Sequence, residues 1–366
     1  MNNSKKGFAI PIIISVTILL IIGGVAYFYV NNSPNSVLEL EEEAILNNKI
    51  KSILPDDTSK ERIDLLLQID DFTKESINGK SFSTKIYSLI KTRLDQVLKE
   101  IPETQVSKGK VKIWYIYNMG IIAKSSDKTI AFDLAGTYVY PNMSDFTKYI
   151  DILFITHFHN DHFDKNVVQE ALKNNVTIVI PDEKVRLEGD QLIKDDKGED
   201  IMDYLSGHGS INFGSLFVAI KPQEKTTIKG IDIIAYPSNH IGPREDNSVV
   251  PYPIDWYYVN LSGLKILHMG DGTSFNYQPD FVNQNIDVFI THNMDPMTND
   301  SLVKLVPNAK TILPLHILEL GHGPNIINSH TMDYQNAPDD YSNGYYKTLQ
   351  GKTRFIPMIW GESLTF

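Results

Sequence analysis

The feature of this sequence that most constrains the fold is an apolar run followed at once by a cluster of polar side chains, at residues 151–162. The run reads Ile-Leu-Phe-Ile at residues 152–155, which is typical of a strand buried on both faces of a sheet. A buried strand cannot carry charged groups along its length, so the polar residues are expected in the loop at its end. The pattern predicts an α/β fold with a binding site at a strand end.

Four side chains able to bind a metal ion follow this strand, namely His157, His159, Asp161 and His162. His157 and His159 are two residues apart, so in extended chain both rings point to the same side and can bind one ion. Asp161 and His162 lie close enough to supply a second ion beside the first. Histidine is uncommon in this chain, with 10 in 366 residues, so a chance cluster explains the pattern poorly.

Three more candidate ligands lie further along the chain, and each follows a short apolar segment. They are His240, Asp271 and His316, and each is expected to project from the end of a strand. The sequence contains no cysteine, which excludes thiolate ligands and leaves His nitrogen and carboxylate oxygen as the metal donors. Such donors suit zinc first, and then iron or manganese.

An internal echo links two distant parts of the sequence. Residues 150–157 read Ile-Asp-Ile-Leu-Phe-Ile-Thr-His, and residues 286–292 read Ile-Asp-Val-Phe-Ile-Thr-His. Each copy ends an apolar strand in Thr-His. Two halves that both present ligands at strand ends favour a four-layer αββα sandwich.

The His-x-His-x-Asp-His pattern after an apolar strand resembles the metallo-β-lactamase superfamily of metal-dependent hydrolases, over about residues 111–366. The resemblance implies the αββα sandwich of that superfamily. It also implies that His240 is the third ligand of a first metal ion, that Asp271 bridges two ions, and that His316 completes the second. The chain looks like the lactonase-like and N-acyl phosphatidylethanolamine phospholipase D-like branches. His159 stands where the diiron oxygen-reducing branch has Glu, which favours hydrolysis over redox chemistry.

The predicted site has a metal-binding set and a surrounding set. The predicted metal ligands are His157, His159, Asp161, His162, His240, Asp271 and His316, of which Asp161 and Asp271 are also predicted to be catalytic. The residues predicted to contact substrate or to support the ligands are Asp133, His268, His292, Asn293 and Asp295. Asp133 is similar to the strand-end aspartate with which the family steadies its ligand loop by hydrogen bonds.

The resemblance implies an enzyme that holds two zinc ions, or iron or manganese in their place. A hydroxide shared by the two ions is expected to cleave an ester, lactone, amide or phosphodiester bond in a small-molecule or lipid-derived substrate. One alternative is an extracytoplasmic nuclease or phosphodiesterase, although the formal net charge of −11 argues against nucleic acid as a partner. The other alternative is a non-catalytic, metal-stabilised binding or scaffold protein, against which the complete ligand set argues.

The segment Phe8 to Val30 is an uninterrupted apolar run of 23 residues, long enough to cross a bilayer as a helix. Lys5 and Lys6 precede it, whereas acidic residues lie beyond it. The positive-inside rule therefore predicts a single-pass membrane protein with a cytoplasmic N-terminus and an extracytoplasmic hydrolase domain. Cleavage of the segment as a signal peptide, which would release a secreted enzyme, is the alternative.

Residues 31–109 are predicted to be a linker followed by helices, between the anchor at 1–30 and the hydrolase domain at 110–366. Helices are expected at 36–53 and 61–69, and a third over 86–101, where apolar residues recur at spacings of three and four. The segment supplies none of the predicted ligands, so a fragment starting near Val111 is expected to keep its metal. A role of residues 37–109 in forming homo-oligomers is the alternative to simple packing on the hydrolase domain.

The remaining expectations concern the connections in the hydrolase region. Residues 136–146 and 241–255 are rich in Tyr and Pro and are predicted to be loops that shape the substrate pocket. Residues 226–235 are predicted to form one strand. The charged segment 183–207 is predicted to be a surface helix or loop.

Overall fold

The protein is represented by a computed structural model, which describes part of the chain. The described residues are 34–57, 59–75, 77–78, 81–82, 84–181, 216–243, 249–272, 275, 277–292, 306–316, 320 and 353–366. The chain divides into two units, Met1–Lys49 and Ile50–Phe366. Among the described helices, none has the length and apolar character needed to cross a bilayer, and the predicted span Phe8 to Val30 lies outside the described residues.

The three helices predicted near the N-terminus are confirmed. They are α1, Pro34–Ser52; α2, Lys60–Glu75; and α3, Thr84–Glu103. A short hairpin of β1, Ile77–Asn78, and β2, Ser81–Phe82, separates α2 from α3. The predicted apolar stripe of α3 is buried from Ile86 to Ile101, apart from the half-buried Leu98. In α2 the buried face also includes Arg62, which the apolar pattern did not indicate.

Buried polar contacts join α2 and α3 to the end of the chain. The guanidinium of Arg62 donates to both carboxylate oxygens of Glu362, at 2.7 Å each, and to the carbonyl of Pro357 at 2.8 Å. Arg93 donates from Nε to the carbonyl of Trp360 at 3.0 Å. The side chains of Arg62 and Glu362 are 1% and 2% exposed, so this ion pair is shielded from water. The helices and the sheets therefore belong to one compact unit from Ile50 onwards.

The first sheet contains seven strands of the described chain. They are β3, Lys112–Tyr117; β4, Gly120–Lys124; β5, Thr129–Phe132; β6, Ile152–Phe154; β7, Thr177–Pro181; β8, Phe217–Ile220; and β16, Ser363–Thr365. Their order is β16-β3-β4-β5-β6-β7-β8, with antiparallel pairing as far as β5 and parallel pairing from β5 to β8. The apolar run of β6 is buried at the centre, as predicted.

The second sheet also contains seven described strands. They are β9, Thr226–Ile228; β10, Ile231–Pro243; β11, Val249–Leu261; β12, Leu264–His268; β13, Ile286–His292; β14, Ala309–Leu315; and β15, Arg354–Phe355. Their order is β15-β14-β13-β12-β11-β10-β9, with antiparallel pairing from β9 to β12 and parallel pairing from β12 to β15. The single strand predicted at 226–235 is therefore wrong, because a turn at Lys229-Gly230 divides it into β9 and β10.

The internal echo corresponds to equivalent strands of the two sheets. In each sheet one strand has an antiparallel neighbour on one side and a parallel neighbour on the other. This strand is β5 in the first sheet, where its parallel neighbour is β6, and β12 in the second, where its parallel neighbour is β13. The two sheets pack face to face, since the ring of Phe154 lies 5.3 Å from that of Tyr257 and Phe132 stacks on His268 at 4.8 Å. A mixed α/β fold with two sheets is thus confirmed.

The hairpin of β10 and β11 extends beyond its neighbours and corrects the loop predicted at 241–255. Proline usually argues against a strand, but this ribbon contains Pro237, Pro243, Pro251 and Pro253. In the register, Pro237 lies opposite Asp255, and the other prolines fall in pairs two, four and six positions further along. The N–H of Asp255 points out of the ribbon, to the carbonyl of Thr156 at 3.0 Å. Because outward and inward N–H groups alternate by pairs, every proline occupies a position that needs no ladder hydrogen bond.

The loop after β6 is fixed at its far end by α4, Lys165–Lys173. Asp164 caps this helix by accepting hydrogen bonds from the N–H groups of Asn166 and Val167. Its other oxygen accepts from the backbone and hydroxyl of Thr137, at 2.9 and 2.5 Å. These hydrogen bonds tie the predicted loop 136–146 to the loop that follows β6. A 3-10 helix, Met143–Tyr149, begins within residues 136–146. The segment 183–207 lies outside the described residues.

Candidate metal centre

The structure brings six of the seven predicted ligands together in two groups of buried or half-buried side chains. The first group is His157, His159 and Asp271; the second is Asp161, His162, Asp271 and His316. Within each group, one donor atom from every residue lies within 4.8 Å of the donor atoms of the others. Asp271 belongs to both groups. The loop after β6 in one sheet and strand ends in the other supply them.

Asp271 lies between the two groups. Its Oδ1 is 3.1 Å from Nε2 of His162, and its Oδ2 is 3.8 Å from Nε2 of His157 and 3.9 Å from Nε2 of His316. It follows β12 through Gly270, which has φ of +51°. A Cβ at Gly270 would lie 2.6 Å from Oγ1 of Thr156, so glycine allows the loops of the two sheets to approach each other.

A hydrogen-bond network behind the ligands fixes which ring nitrogen faces the site. Asp133, directly after β5, accepts from the backbone N–H of Thr156 at 2.8 Å, from its hydroxyl at 2.7 Å, and from Nδ1 of His162 at 2.9 Å. Because the hydroxyl hydrogen of Thr156 is used on Asp133, Nδ1–H of His157 must donate to that hydroxyl, at 3.1 Å. In their neutral forms both imidazoles therefore present the Nε2 lone pair to the site. Asp133 thus has the supporting position predicted for it.

The sequence did not indicate a role in the site for Asn118, which lies between β3 and β4. Its side-chain Nδ2 donates to Oδ2 of Asp161 at 3.0 Å and to the Asp161 carbonyl at 3.2 Å. The backbone carbonyl of Asn118 accepts from the N–H of His316 at 3.2 Å. The only sequence signal was Asn118 two residues before Gly120, between two strands, which indicates a turn and says nothing about a ligand 43 residues away.

His268 is a core residue rather than a ligand. It is fully buried, Nε2–H donates to the carbonyl of Met119 at 2.9 Å, and Nδ1 accepts the N–H of Gly270 at 3.2 Å. Burial lowers the pKa of His268, which keeps the ring neutral in this arrangement. His292, at the end of β13, lies at the site, with Nε2 3.7 Å from Oδ1 of Asp271 and its ring 4.2 Å from that of His316.

Three predicted site residues cannot be placed by their side chains. The backbone of His240 lies within β10, opposite Tyr252, so the prediction that it follows the end of a strand is wrong. The strand continues because it belongs to the extended hairpin. The side chain of His240 is outside the described part of the structure, as are Asn293 and Asp295 entirely.

The charges of the site favour a bound cation. Burial opposes protonation of His162, but the carboxylates of Asp271, Asp161 and Asp133 outweigh it and raise its pKa well above the usual value. Burial alone would raise the pKa of Asp271, but the neighbouring rings of His162, His292 and His316 lower it well below the ordinary range. The site thus keeps the Asp271 carboxylate ionised and attracts positive charge.

The donor set fits two divalent metal ions. All donor atoms are imidazole nitrogens or carboxylate oxygens, and the carboxylate shared by the two groups can serve both ions at once. Buried carboxylates this close to one another require a compensating cation. Two such groups at the strand ends of two mixed sheets are typical of a metal-dependent enzyme of the two-sheet α/β type.

Comparison with known proteins places this chain in a family. The family model of the beta-lactamase superfamily domain matches residues 113–316, which is more than half of the chain. The chain therefore belongs to the beta-lactamase superfamily, and the predicted class, a metal-dependent hydrolase of the metallo-β-lactamase fold, is confirmed. No curated protein sequence matches the chain.

Solved structures similar to this chain share little sequence with it. A metallo hydrolase from the archaeon Ignicoccus hospitalis is 16% identical, with a TM-score of 0.47, over 70% of this chain and 98% of that one. The metallo-beta-lactamase fold protein YhfI from Bacillus subtilis is 14% identical, with a TM-score of 0.47, over 70% and 99%. The diiron beta-hydroxylase CmlA from Streptomyces venezuelae is 13% identical, with a TM-score of 0.48, over 71% and 54%.

Proposed function

We propose that this protein is a hydrolase with two zinc ions that cleaves an ester, lactone, amide or phosphodiester bond in a small-molecule or lipid-derived substrate. The observation that carries the proposal is the position of Asp271, which belongs to both groups of candidate ligands. His157, His159 and Asp271, with His240, would hold one ion. The other ion would be held by Asp161, His162, Asp271 and His316. We propose in addition that the two sheets and their helices form a four-layer αββα sandwich.

The protein's own residues prepare the site for attack by water. Two bound zinc ions would lower the pKa of a water molecule and polarise the scissile bond. Asp161 is held at Oδ2 by Asn118 and lies 3.4 Å from Nε2 of His162, which suits it to orient the attacking water and accept its proton. Asp133 and Thr156 keep the Nε2 lone pairs of His157 and His162 directed at the ions. Most of the ligands are buried, which strengthens each electrostatic interaction there.

The substrate would enter beside His292. Its imidazole is 7% exposed and lies 3.7 Å from Asp271, so it is close to the ions and placed to contact a polar group of the substrate. Residues 136–146, tied to the ligand loop through Asp164, would form one wall of the pocket. These contacts act on substrate binding rather than on the metal ions.

We also propose that Phe8 to Val30 anchors the enzyme in the cytoplasmic membrane with residues beyond 30 outside. The sequence supports this through the length of the apolar run and the position of Lys5 and Lys6. Protease added to intact cells should digest the hydrolase domain. Protection in intact cells that is lost on lysis would reverse the topology.

The experiment that tests the enzymatic proposal is metal analysis of the full chain in detergent, combined with a panel of substrates. Native mass spectrometry should find two zinc equivalents per chain, and lactone, phosphodiester and lipid-amide substrates should be compared before and after chelation. The proposal expects activity that chelation removes and zinc restores. A folded, metal-free protein with undiminished activity would overturn it.

A further inference from the structure

We propose that Asn118 is a positioning residue that sets the geometry of the second metal site alone, an inference that rests on the two-ion centre proposed above. Asn118 occupies the turn between β3 and β4 and is completely buried. It contacts three of the four residues of the second group: Asp161 and His162 through its side chain, the latter at 3.4 Å, and His316 through its backbone. Among the contacts described for it, none involves His157 or His159, which belong to the first group only.

The side-chain amide of Asn118 fixes the Asp161 carboxylate. Nδ2 carries two hydrogens, and they serve Oδ2 and the backbone carbonyl of Asp161, at 3.0 and 3.2 Å. The opposite orientation would set the amide oxygen against two oxygens of Asp161, so the assignment of the nitrogen follows from its partners. Oδ2 is also the atom that lies 3.4 Å from Nε2 of both His162 and His316. The amide therefore holds the oxygen that faces the second ion.

The backbone of Asn118 fixes His316 in the same way. Its carbonyl accepts the N–H of His316, whose φ is +65° immediately after the end of β14. Asn118 itself has φ of +50°, a conformation that asparagine tolerates better than most residues. One residue of the first sheet thus holds ligands from two different sheets in a common arrangement.

The chemistry of the amide suits this position better than that of a charged group. Lysine or arginine at 118 would also donate to Asp161, but would bring a positive charge next to a dication. A carboxylate would repel Asp161 in the metal-free protein. A neutral donor orients Asp161 and leaves its full negative charge for the ion, and loss of such supporting contacts commonly lowers metal affinity about 10- to 100-fold.

The test is a zinc titration of the metal-free full chain in detergent, in competition with a chromophoric chelator, for Asn118→Ala and Asn118→Gly. Glycine removes the amide but keeps the positive φ free of strain, which separates the side chain from the backbone. Asn175→Ala is the matched control, because Asn175 has φ of +60° and is exposed between α4 and β7. We expect one of the two dissociation constants to rise about 10- to 100-fold in both Asn118 variants and neither to change in the control.

Double variants identify the affected site. Asn118→Gly should still weaken zinc binding in a His159→Ala background, which impairs the first group, and should have little further effect in a His316→Ala background. An unchanged pair of constants in Asn118→Gly, or an equal rise in both, would overturn the inference while the two-ion centre stands. A wild-type protein that binds fewer than two zinc ions would overturn the two-ion centre and this inference with it.

Discussion

A histidine binds a metal ion only when the ring nitrogen with the lone pair faces that ion. Here two residues outside the ligand set determine which nitrogen faces the site in His157 and His162. Asp133 accepts from Nδ1 of His162, and the hydroxyl of Thr156 accepts from Nδ1 of His157. Replacing Asp133 would free both the tautomer and the orientation of the rings, because Thr156 would also lose its acceptor. The ligands therefore depend on residues that never touch an ion.

Asp271→Asn should lower both metal content and hydrolysis. Two unit positive charges about 4 Å apart repel each other by about 4 kcal/mol at an effective dielectric of about 20, and dications repel more. An anionic group between the ions offsets this repulsion, whereas the neutral amide offsets much less. Metal stoichiometry and turnover should be measured together, with Asp64→Asn, a surface aspartate of α2 paired with Lys60, as the control. Full occupancy with unchanged turnover would remove Asp271 from the site.

His292→Ala should leave both ions in place and weaken substrate binding. His292 lies beside Asp271 but is absent from both groups of candidate ligands. We expect KM to rise with the zinc content at the wild-type value. Loss of one zinc equivalent in this variant would instead make His292 a ligand.

Raising the pH should destabilise the metal-free protein through His162. Its pKa in the fold lies well above the usual 6.5, so its contribution to stability is complete below about pH 6.5 and disappears as the pH rises through the folded value. Asp271 has the opposite sign: its pKa is lowered, and its contribution disappears only in acid. The Tm of the chelated protein should therefore fall from pH 6.5 towards pH 9, and less so in His162→Gln. Parallel curves for the two proteins would contradict this origin.

At the scale of single residues, the sequence indicated the candidate metal ligands better than it indicated the residues that hold those ligands in place. His157, His162 and Asp271 were found because His and Asp at strand ends carry their own signal. Asn118 was missed because its role arises from a contact with Asp161, which lies 43 residues further along the chain. No local pattern encodes such a contact; only the pairing of strands creates it.

Among the elements, the close approach of the β12 loop to the β6 loop is what joins the two halves of the site. Gly270→Ala should disturb it, because a Cβ there would collide with Thr156 at 2.6 to 2.7 Å and the positive φ would be strained. Gly263→Ala is the matched control, since Gly263 has φ of +94° and nothing within 4 Å of the added Cβ. We expect the control to lose about 1 kcal/mol of unfolding free energy.

Gly270→Ala should lose more, and should also bind zinc more weakly, because Asp271 is the next residue. Chemical denaturation and zinc titration of both variants measure the two effects. Equal losses in the two proteins would show that strain alone, and not the contact with Thr156, sets the requirement for glycine.

The hairpin of β10 and β11 shows where strand prediction from composition fails. The three prolines within 241–255 favoured a loop, whereas the register places them, and Pro237 as well, at pairs whose backbone nitrogens point away from the partner strand. Whether a proline faces into or out of a ladder depends on the register, which single residues do not reveal. The strand predicted at 152–155, which is β6, was predicted well because its apolar run is buried throughout.

At the scale of the whole molecule, a buried ion pair binds helix α2 to the end of the chain, in addition to the apolar face of the helix. Arg62→Met should therefore be costly, since it leaves the carboxylate of Glu362 buried without its guanidinium. Loss of one partner of a buried pair typically costs about 3–5 kcal/mol. Lys60→Met, which removes an exposed pair with Asp64 in the same helix, should change stability far less than Arg62→Met does.

Denaturation of Arg62→Met, Glu362→Gln and the double variant forms a cycle that isolates the pair. We expect the double variant to be more stable than the sum of the single losses implies. Strict additivity would mean that the two side chains act independently.

The same contact revises the expectation for a fragment starting near Val111. Such a fragment would keep Glu362 in the interior without Arg62 and should fold poorly.

The matching halves of the molecule have a historical consequence. In each half an aspartate follows the strand at which antiparallel pairing gives way to parallel pairing: Asp133 after β5, and Asp271 after β12. The two carboxylates grip His162 from opposite sides, Asp133 at Nδ1 and Asp271 at Nε2. Duplication of an ancestral gene of half the length would produce two halves with this common strand order. In a duplicated chain, one aspartate is free to support the ligands while the other takes a place among them.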